Sequence, residues 1–386
     1  MASVTMACPR DAADLVALVA AARAGATRLA LCGGGSKAAF GAVPTGPVTR
    51  VDMRGFAGIV DYDPAELVLT VRPGTPLAEV ETLLAAHGQM LAFEPFDHGP
   101  IHGCAGGAAT IGGVIAAGVA GSRRLSRGQA RDHLLGFAAV SGRGEAFVAG
   151  ARVTKNVTGY DLPKIACGSW GRMFALTELH VKTLPRAEMQ QTLVIDGLNP
   201  AAAVLAMSRA LGSQGAVAAA AHDPIARRTA LRLEGFAASV AARRALLEGL
   251  LADTGVLGAL DADAATAFWQ GFRDLAALAD APLLWRVIVP AGHAPGLIEA
   301  LELTGARWLM DWAGGLLWVG TRADGALRSL VEAAGGHADL VRADAATRGR
   351  IPARHPQAPA VAALEARVRR AFDPDGVFET GRFGDS

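Results

Sequence analysis

Residues 28–37 read R-L-A-L-C-G-G-G-S-K. Arg28 to Cys32 is the short apolar run of a strand, and Gly33, Gly34 and Gly35 end it abruptly. Successive glycines let backbone N–H groups turn toward one point, which makes a nest for an anion such as a pyrophosphate. Ser36 adds a hydroxyl donor and Lys37 a positive charge. The stretch is not a P-loop, because G-x-x-x-x-G-K-[ST] is absent. Nor is it the dinucleotide fingerprint, since Phe40-Gly41-Ala42-Val43-Pro44 follows in place of a helix. On this stretch alone, a phosphate cradle and a plain loop both stand.

Working outward, Asp11 caps a helix with Leu15, Leu18 and Val19 on its apolar face, and Val48 to Asp52 and Leu67 to Arg72 read as strands. Pro73-Gly74-Thr75 turns into a helix from Pro76 to His87. Residues 110–124, T-I-G-G-V-I-A-A-G-V-A-G-S-R-R, form a small-residue segment against which a flat ligand, or simply another segment, can pack. In 126–136, S-R-G-Q-A-R-D-H-L-L-G, Gly128 permits close approach, and Arg131 and Asp132 read as an ion pair or a cap. Leu135 to Ser141 and Ala146 to Ala149 form a hairpin around Gly142-Arg143-Gly144. In 155–171, K-N-V-T-G-Y-D-L-P-K-I-A-C-G-S-W-G, the polar groups Lys155, Asn156, Tyr160 and Asp161 surround Gly159. A strand from Phe174 to Leu184 closes this zone.

Composition bounds the rest. A chain of 386 residues, 51% hydrophobic and 19% charged, has ample core material for two or three domains and is not disordered. A net charge of +1 gives no footprint for nucleic acid. Cys8, Cys32, Cys104 and Cys167 are too scattered for a disulfide scaffold or an iron–sulfur centre, which places the chain in a reducing cytoplasm. No apolar run reaches the roughly 20 residues of a membrane span. Any attachment to the inner face of the cell membrane would come through partners.

Residues 188–345 read as repeated β-α-β-β-α-β: strand 284–289, helix 294–303, strand 306–312, strand 316–320, helix 324–334 and strand 338–342. A weaker copy precedes it, with strand 192–196, helix 200–211, strands 215–221 and 229–234, and helix 236–252. Residues 346–386 form a helix and tail ending F-D-P-D-G-V-F-E-T-G-R-F.

The order and spacing of the four glycine-bearing stretches resemble the FAD-binding domain of the p-cresol methylhydroxylase/vanillyl-alcohol oxidase (PCMH-type) family. The tail is similar to the FDPxGxxNPGR tail of that family's 2-hydroxy-acid dehydrogenases. EPFDHG, ATIGG, GSRR and LLWRV most resemble the E-type subunits of bacterial glycolate oxidase complexes. The resemblance implies an α+β protein: a two-subdomain FAD-binding domain over 1–187, a ferredoxin-like cap over 188–345, and a tail over 346–386 that returns to the first domain. It implies that Gly33, Gly34, Gly35, Ser36 and Lys37 wrap the FAD pyrophosphate. Pro73, Gly74 and Thr75 would sit near the flavin. Thr110, Ile111, Gly112 and Gly113 would hold the pyrophosphate from the other side. Gly118 and Gly128 would admit ribityl and ring, and Leu176 would meet the adenine side. Some relatives attach FAD through a histidine in the first loop; GGGSK has none, so non-covalent FAD is expected. The implied partners are a catalytic flavin subunit, an iron–sulfur subunit and a small 2-hydroxy acid such as glycolate.

Two departures stand out. The H-x-G-D-G-N-x-H stretch of catalytic flavin subunits is absent, its region reading R-W-L-M-D-W-A-G-G-L-L-W-V-G, and the tail has Glu379 and Thr380 where Asn and Pro are usual. No residue is therefore assigned a catalytic role. His98, His102 and Cys104 lack the ligand pairs of a zinc site and read as a loop. Arg286, a charge in an apolar strand, either pairs with an acid such as Asp311 or faces an anion; pairing is the ordinary state. Trp308, Trp312 and Trp318 read as core or interface, and Arg123, Arg124 and Arg127 as a solvated basic patch. Three functions remain open: an FAD-binding subunit that relays electrons or stabilises its complex, a stand-alone FAD-dependent dehydrogenase, and a flavin-free structural subunit.

Overall fold

The helix Ala12–Ala24 begins at Asp11, whose carboxylate accepts the Asp14 N–H at 2.9 Å, a cap worth about 1 kcal/mol. It buries Leu15, Val19 and Ala22 against Leu29, Val51, Val140 and Ala175. The computed structural model describes residues 5–44, 46–152, 160–323 and 325–383. The chain divides into two compact units: Met1–Ala120 with Gly128–Pro185 and Pro356–Ser386, and Gly121–Arg127 with Arg186–His355.

The first unit contains β1 (Thr5–Ala7), β2 (Arg28–Cys32), β3 (Val48–Asp52), β4 (Ile59–Asp63), β5 (Val68–Val71), β6 (Gln89–Met90), β7 (Leu134–Ser141), β8 (Ala146–Gly150), β9 (Phe174–Lys182) and β10 (Leu184–Pro185). Parallel pairing in the order β1-β3-β2 makes a three-stranded sheet. Antiparallel pairing in the order β4-β5-β9-β7-β8 makes a five-stranded one. The edge strand β4 escapes the sequence reading because none of its residues is fully buried and its alternation is weak. The tail is part of this unit's core. Val377 and Phe378 are buried among the residues of the first helix and of β2 and β3. The Asp373 carboxylate accepts the N–H groups of Val377 and Phe378, both at 2.8 Å.

The second unit contains β11 (Met189–Asp196), β12 (Ala219–Asp223), β13 (Arg228–Gly235), β14 (Gly258–Ala259), β15 (Leu283–Ile288), β16 (Arg307–Asp311), β17 (Leu316–Thr321) and β18 (His337–Arg342). They form one antiparallel sheet in the order β14-β11-β13-β12-β16-β17-β15-β18. Each half is a β-α-β-β-α-β unit whose strands lie in the spatial order fourth, first, third, second, as in a ferredoxin-like split βαβ. The halves meet at one bridge, His222 opposite Met310. The weaker sequence signal of the first half has a structural cause: its fourth strand, β14, is only two residues long. A helix the sequence reading omits, Ala262–Asp274, buries Ala265, Trp269 and Phe272. Among the described residues, no helix is long and apolar enough to cross a membrane.

The structure places the residues that the sequence singled out: the three tryptophans are buried and Asp132 is a cap, as expected, while Arg123 departs from the expectation. Trp308 joins the helix-side core of the sheet. Trp318 points to the other face, because its neighbours Leu317 and Val319 are in that core. Trp312 is not on a strand but in the turn after β16, with φ of 52°. Arg123 is not a solvated charge: its side chain is 14% exposed and pairs with the buried Glu234 carboxylate at 2.7 Å. Asp132 caps a turn, accepting the Gln129 N–H at 2.9 Å. Tyr160 is exposed and Asp161 pairs with Lys164 at 2.7 Å, while Lys155, Asn156 and Gly159 lie outside the described residues.

Candidate functional site: a glycine-walled cleft

A cleft of about 830 Å³, part of it open to solvent, lies in the first unit at the end of β2. Gly33, Gly34, Gly35, Ser36 and Lys37 form one wall. Thr110, Gly112, Gly113, Ala116 and Ala117, from the start and body of the helix Ile111–Ala117, form another. Pro73, Met53, Phe174, Leu176, Trp170, Gly171 and Arg382 complete the lining, with Leu31, Cys32 and Ala38.

The glycines are needed because main chains meet here. A Cβ on Gly34 would sit 1.5 Å from the Ala108 carbonyl oxygen, and one on Gly112 would sit 2.4 Å from Pro73 Cβ. Real Cβ atoms do not approach so closely, so bare backbone lines the cleft. Asp97 holds the facing loop in place. Its carboxylate accepts the N–H groups of Gly99, Gly107, Ala108 and Ala109 at 2.7–3.1 Å. Burial alone would raise this carboxyl, but the four donors outweigh it and hold it below the ordinary carboxylate range.

One end of the cleft is cationic and aromatic. Lys37 is 8% exposed, and burial pulls its ammonium down to about 8; Asp97 opposes this and Arg382 adds to it. Arg382, from the tail, donates from Nε to the Phe40 carbonyl at 2.6 Å and from Nη2 to the Lys37 carbonyl. Its guanidinium lies 5.2 Å from the Trp170 ring centroid, and Trp170 stacks on Phe40 with centroids 4.6 Å apart. Trp170 has a left-handed backbone, φ 56°, and its N–H donates to the Ala116 carbonyl at 2.8 Å. Cys32 Sγ accepts from Arg50 Nη2 at 2.9 Å.

Gly74, Thr75, Ile111, Gly118 and Gly128 do not line the cleft. Gly74 packs on the Met53 and Phe56 carbonyls, within 2.7 Å of an added Cβ. Thr75, fully buried, bonds the Gly58 N–H and the Arg72 carbonyl. Ile111 is buried core, Gly118 ends its helix with φ of 65°, and Gly128 abuts Asp132. The sequence reading left Met53, Phe174 and Arg382 out of the site. Met53 and Phe174 carry no local signal. The Arg382 signal was present in the tail motif, but its place in the cleft comes from tertiary packing. His98 and His102 have ring centroids 6.5 Å apart, and no described group of three His, Cys, Asp or Glu side chains could hold a metal ion.

Residues 5–150 match a family model described as an FAD binding domain. The fold is similar to that of alkyldihydroxyacetonephosphate synthase, with a TM-score of 0.69 at 15% identity, covering 96% of this chain and 75% of that one. Together with the curated relatives, these matches make the chain a PCMH-type FAD-binding protein of the oxidoreductase class. Over 370 residues the chain is 35% identical to glycolate oxidase subunit GlcE of Escherichia coli (strain K12), covering 92% of each chain. It belongs to the family of that subunit. Glycolate oxidase subunit GlcD of Bacillus subtilis (strain 168) is 30% identical over 162 residues, covering 42% of this chain and 33% of that one.

Proposed function

We propose that this chain is the FAD-binding subunit of a heteromeric glycolate (2-hydroxy acid) dehydrogenase, and that it relays electrons or stabilises the complex beside a catalytic flavin subunit and an iron–sulfur subunit. The observation that carries the reading is the cleft itself: bare backbone on two facing walls, with Lys37 and Arg382 at one end. Those features fit a flat, dianionic dinucleotide. Gly33 to Lys37 and Thr110 to Gly113 would hold the pyrophosphate, with Lys37 and Arg382 balancing its charge. Pro73, Leu176 and Phe174 would provide apolar contact along the ligand, and Trp170 an aromatic face. FAD supplies the two-electron chemistry when bound, while the chain's part is to bind and orient it and to exclude water.

Binding is non-covalent. The described lining holds no histidine, and its one thiol, Cys32, is engaged by Arg50. The four scattered cysteines leave iron–sulfur chemistry to a partner.

The test is to purify the chain alone, record its visible spectrum, and add glycolate anaerobically. Flavin absorbance that glycolate does not bleach supports the subunit reading. Bleaching shows a stand-alone dehydrogenase. A folded, colourless protein that takes up no added FAD shows a flavin-free structural subunit. Release of the flavin on acid precipitation checks the non-covalent attachment.

A further inference from the structure

We propose that Glu379 is a positioning residue for the cofactor: its carboxylate ties the tail to the turn 169–172, holds Arg382 and Trp170 at the cleft, and thereby sets how slowly FAD leaves. The inference rests on Arg382 facing the FAD pyrophosphate, as proposed for this site. Glu379 and Thr380 stand where the tail pattern usually has Asn and Pro, so a charge replaces a neutral amide. The structure shows what that charge holds. Glu379 Oε2 accepts from Arg172 Nε at 3.0 Å, from Arg172 Nη2 at 2.7 Å and from Arg369 Nη1 at 2.7 Å. Glu379 Oε1 accepts the Gly381 N–H at 3.3 Å.

The arginines come from segments next to the cleft. The Arg172 N–H donates to the Ser169 carbonyl at 3.1 Å, closing the turn that presents Trp170 and Gly171 to the cleft. Arg369 lies in the last turn of the helix Pro359–Phe372, which leads into the tail. Arg382 is three residues beyond Glu379, within about 11 Å even for an extended chain. The Arg382 guanidinium bonds the Phe40 and Lys37 carbonyls, and its own carbonyl accepts the Ala42 N–H at 2.7 Å. Phe383 meets Trp170 edge-on with centroids 5.5 Å apart, and the Arg172 guanidinium lies 5.1 Å from the Phe383 centroid. One carboxylate thus joins the tail and the turn that together close one end of the cleft.

This tie differs from a surface ion pair. The Arg172 side chain is 11% exposed and that of Glu379 is 19%, so solvent screens the pair little and its charge-assisted bonds are of the stronger kind. Glu365 accepts from Arg172 Nη1 at 3.3 Å and lies 3.8 Å from Arg369 Nε, so two carboxylates balance two guanidinium groups. Glu365 sits on the helix, whereas Glu379 sits on the tail. That helix buries none of its residues fully, so its apolar packing does not fix the path of the chain beyond it. Val377 and Phe378 anchor the tail on the near side of Glu379, and the ion pair sets its direction from there to Arg382.

The experiment uses the purified full-length chain and two readouts. Amide hydrogen exchange at Ala42, whose N–H donates to the Arg382 carbonyl, reads tail docking without flavin. The rise in fluorescence of free FAD after dilution reads the release rate. Glu379→Gln is expected to speed both about tenfold, as for one lost charge-assisted bond. Glu365→Gln, which disturbs the same two arginines but not the tail, should change either rate less than about twofold. If Glu379 acts through Arg382, then adding Glu379→Gln to Arg382→Ala changes release less than about twofold. Melting temperature reports folding, and Glu379→Asp, with an intermediate release rate expected, carries the comparison if Glu379→Gln does not fold. Wild-type exchange and release in Glu379→Gln overturns the proposal. So does an equal effect of Glu365→Gln, or a tenfold effect that persists without Arg382. A chain that takes up no FAD refutes the cofactor reading, while exchange at Ala42 still decides whether Glu379 holds the tail.

Discussion

Replacing Gly34 with alanine tests the cleft at its tightest point. The new Cβ would lie 1.5 Å from the Ala108 carbonyl oxygen and 2.6 Å from its carbonyl carbon. Ordinary carbon–oxygen contact is about 3.3 Å, so the two segments must part by about 1.8 Å. Neither side can yield by rotating a side chain, because both are backbone, and the Ala108 N–H is tied to Asp97 at 2.9 Å. Overpacking costs about 1–3 kcal/mol in general, and the rigid partners here place Gly34→Ala at or above the upper end, about 3 kcal/mol. Gly35→Ala is the control. Its φ of 82° also disfavours alanine, but the nearest atom to its Cβ is a flexible arginine nitrogen at 3.5 Å. Its cost is about 1–2 kcal/mol of backbone strain with no separation of walls. Flavin content after purification, FAD affinity by fluorescence quenching and melting temperature would be compared. Gly34→Ala is expected to lower FAD affinity about 150-fold if the whole penalty falls on the bound state, and otherwise to lower the melting temperature. The reasoning is refuted if Gly34→Ala keeps wild-type flavin content, affinity and melting temperature.

Lys37 links binding and stability to pH. With its ammonium pulled down to about 8 by burial, the folded apo-protein holds fewer protons there than the unfolded chain between about pH 8 and the ordinary value of 10.5. This group's contribution therefore makes stability rise with pH across that window, by about 3 kcal/mol at most, a gain that Lys37→Met would lose in chemical denaturation. An anionic ligand favours the charged form, so FAD affinity should fall about tenfold per pH unit above 8; a flat profile from pH 7 to 10 would exclude Lys37 from the site. Arg382→Ala removes two charge-assisted bonds to the Phe40 and Lys37 carbonyls, about 1.5–3 kcal/mol each before relaxation, and should lower flavin retention at least tenfold; retention unchanged would show that the tail does not help form the cleft. The Cys167 thiol is pushed up to about 12 by burial, with Asp132 adding to it. A thiol reagent at pH 8 should modify the exposed Cys8 and Cys104 first and reach Cys167 only on unfolding; mass spectrometry showing Cys167 and Cys104 labelled at one rate would contradict this.

Much of the fold was legible from residue order. The alternation in L-W-R-V-I-V and the helical spacing over 294–302 encode which side of each element is buried, and that is a local property. The cap at Asp11 and the helix Pro200–Leu211 followed from the same short-range rules. The glycine stretches marked where backbone must come close, and their order carried the family resemblance. Sequence could not say which backbone each glycine meets, or that Gly74 and Thr75 serve packing rather than the cleft. Gly34 against Ala108, Arg382 on the Lys37 carbonyl 345 residues away, and Asp339 rather than Asp311 beside Arg286 are decided by sheet pairing and by the return of the tail. Such contacts leave no periodic trace, because they depend on which distant segments share a core, and only the tertiary structure settles that.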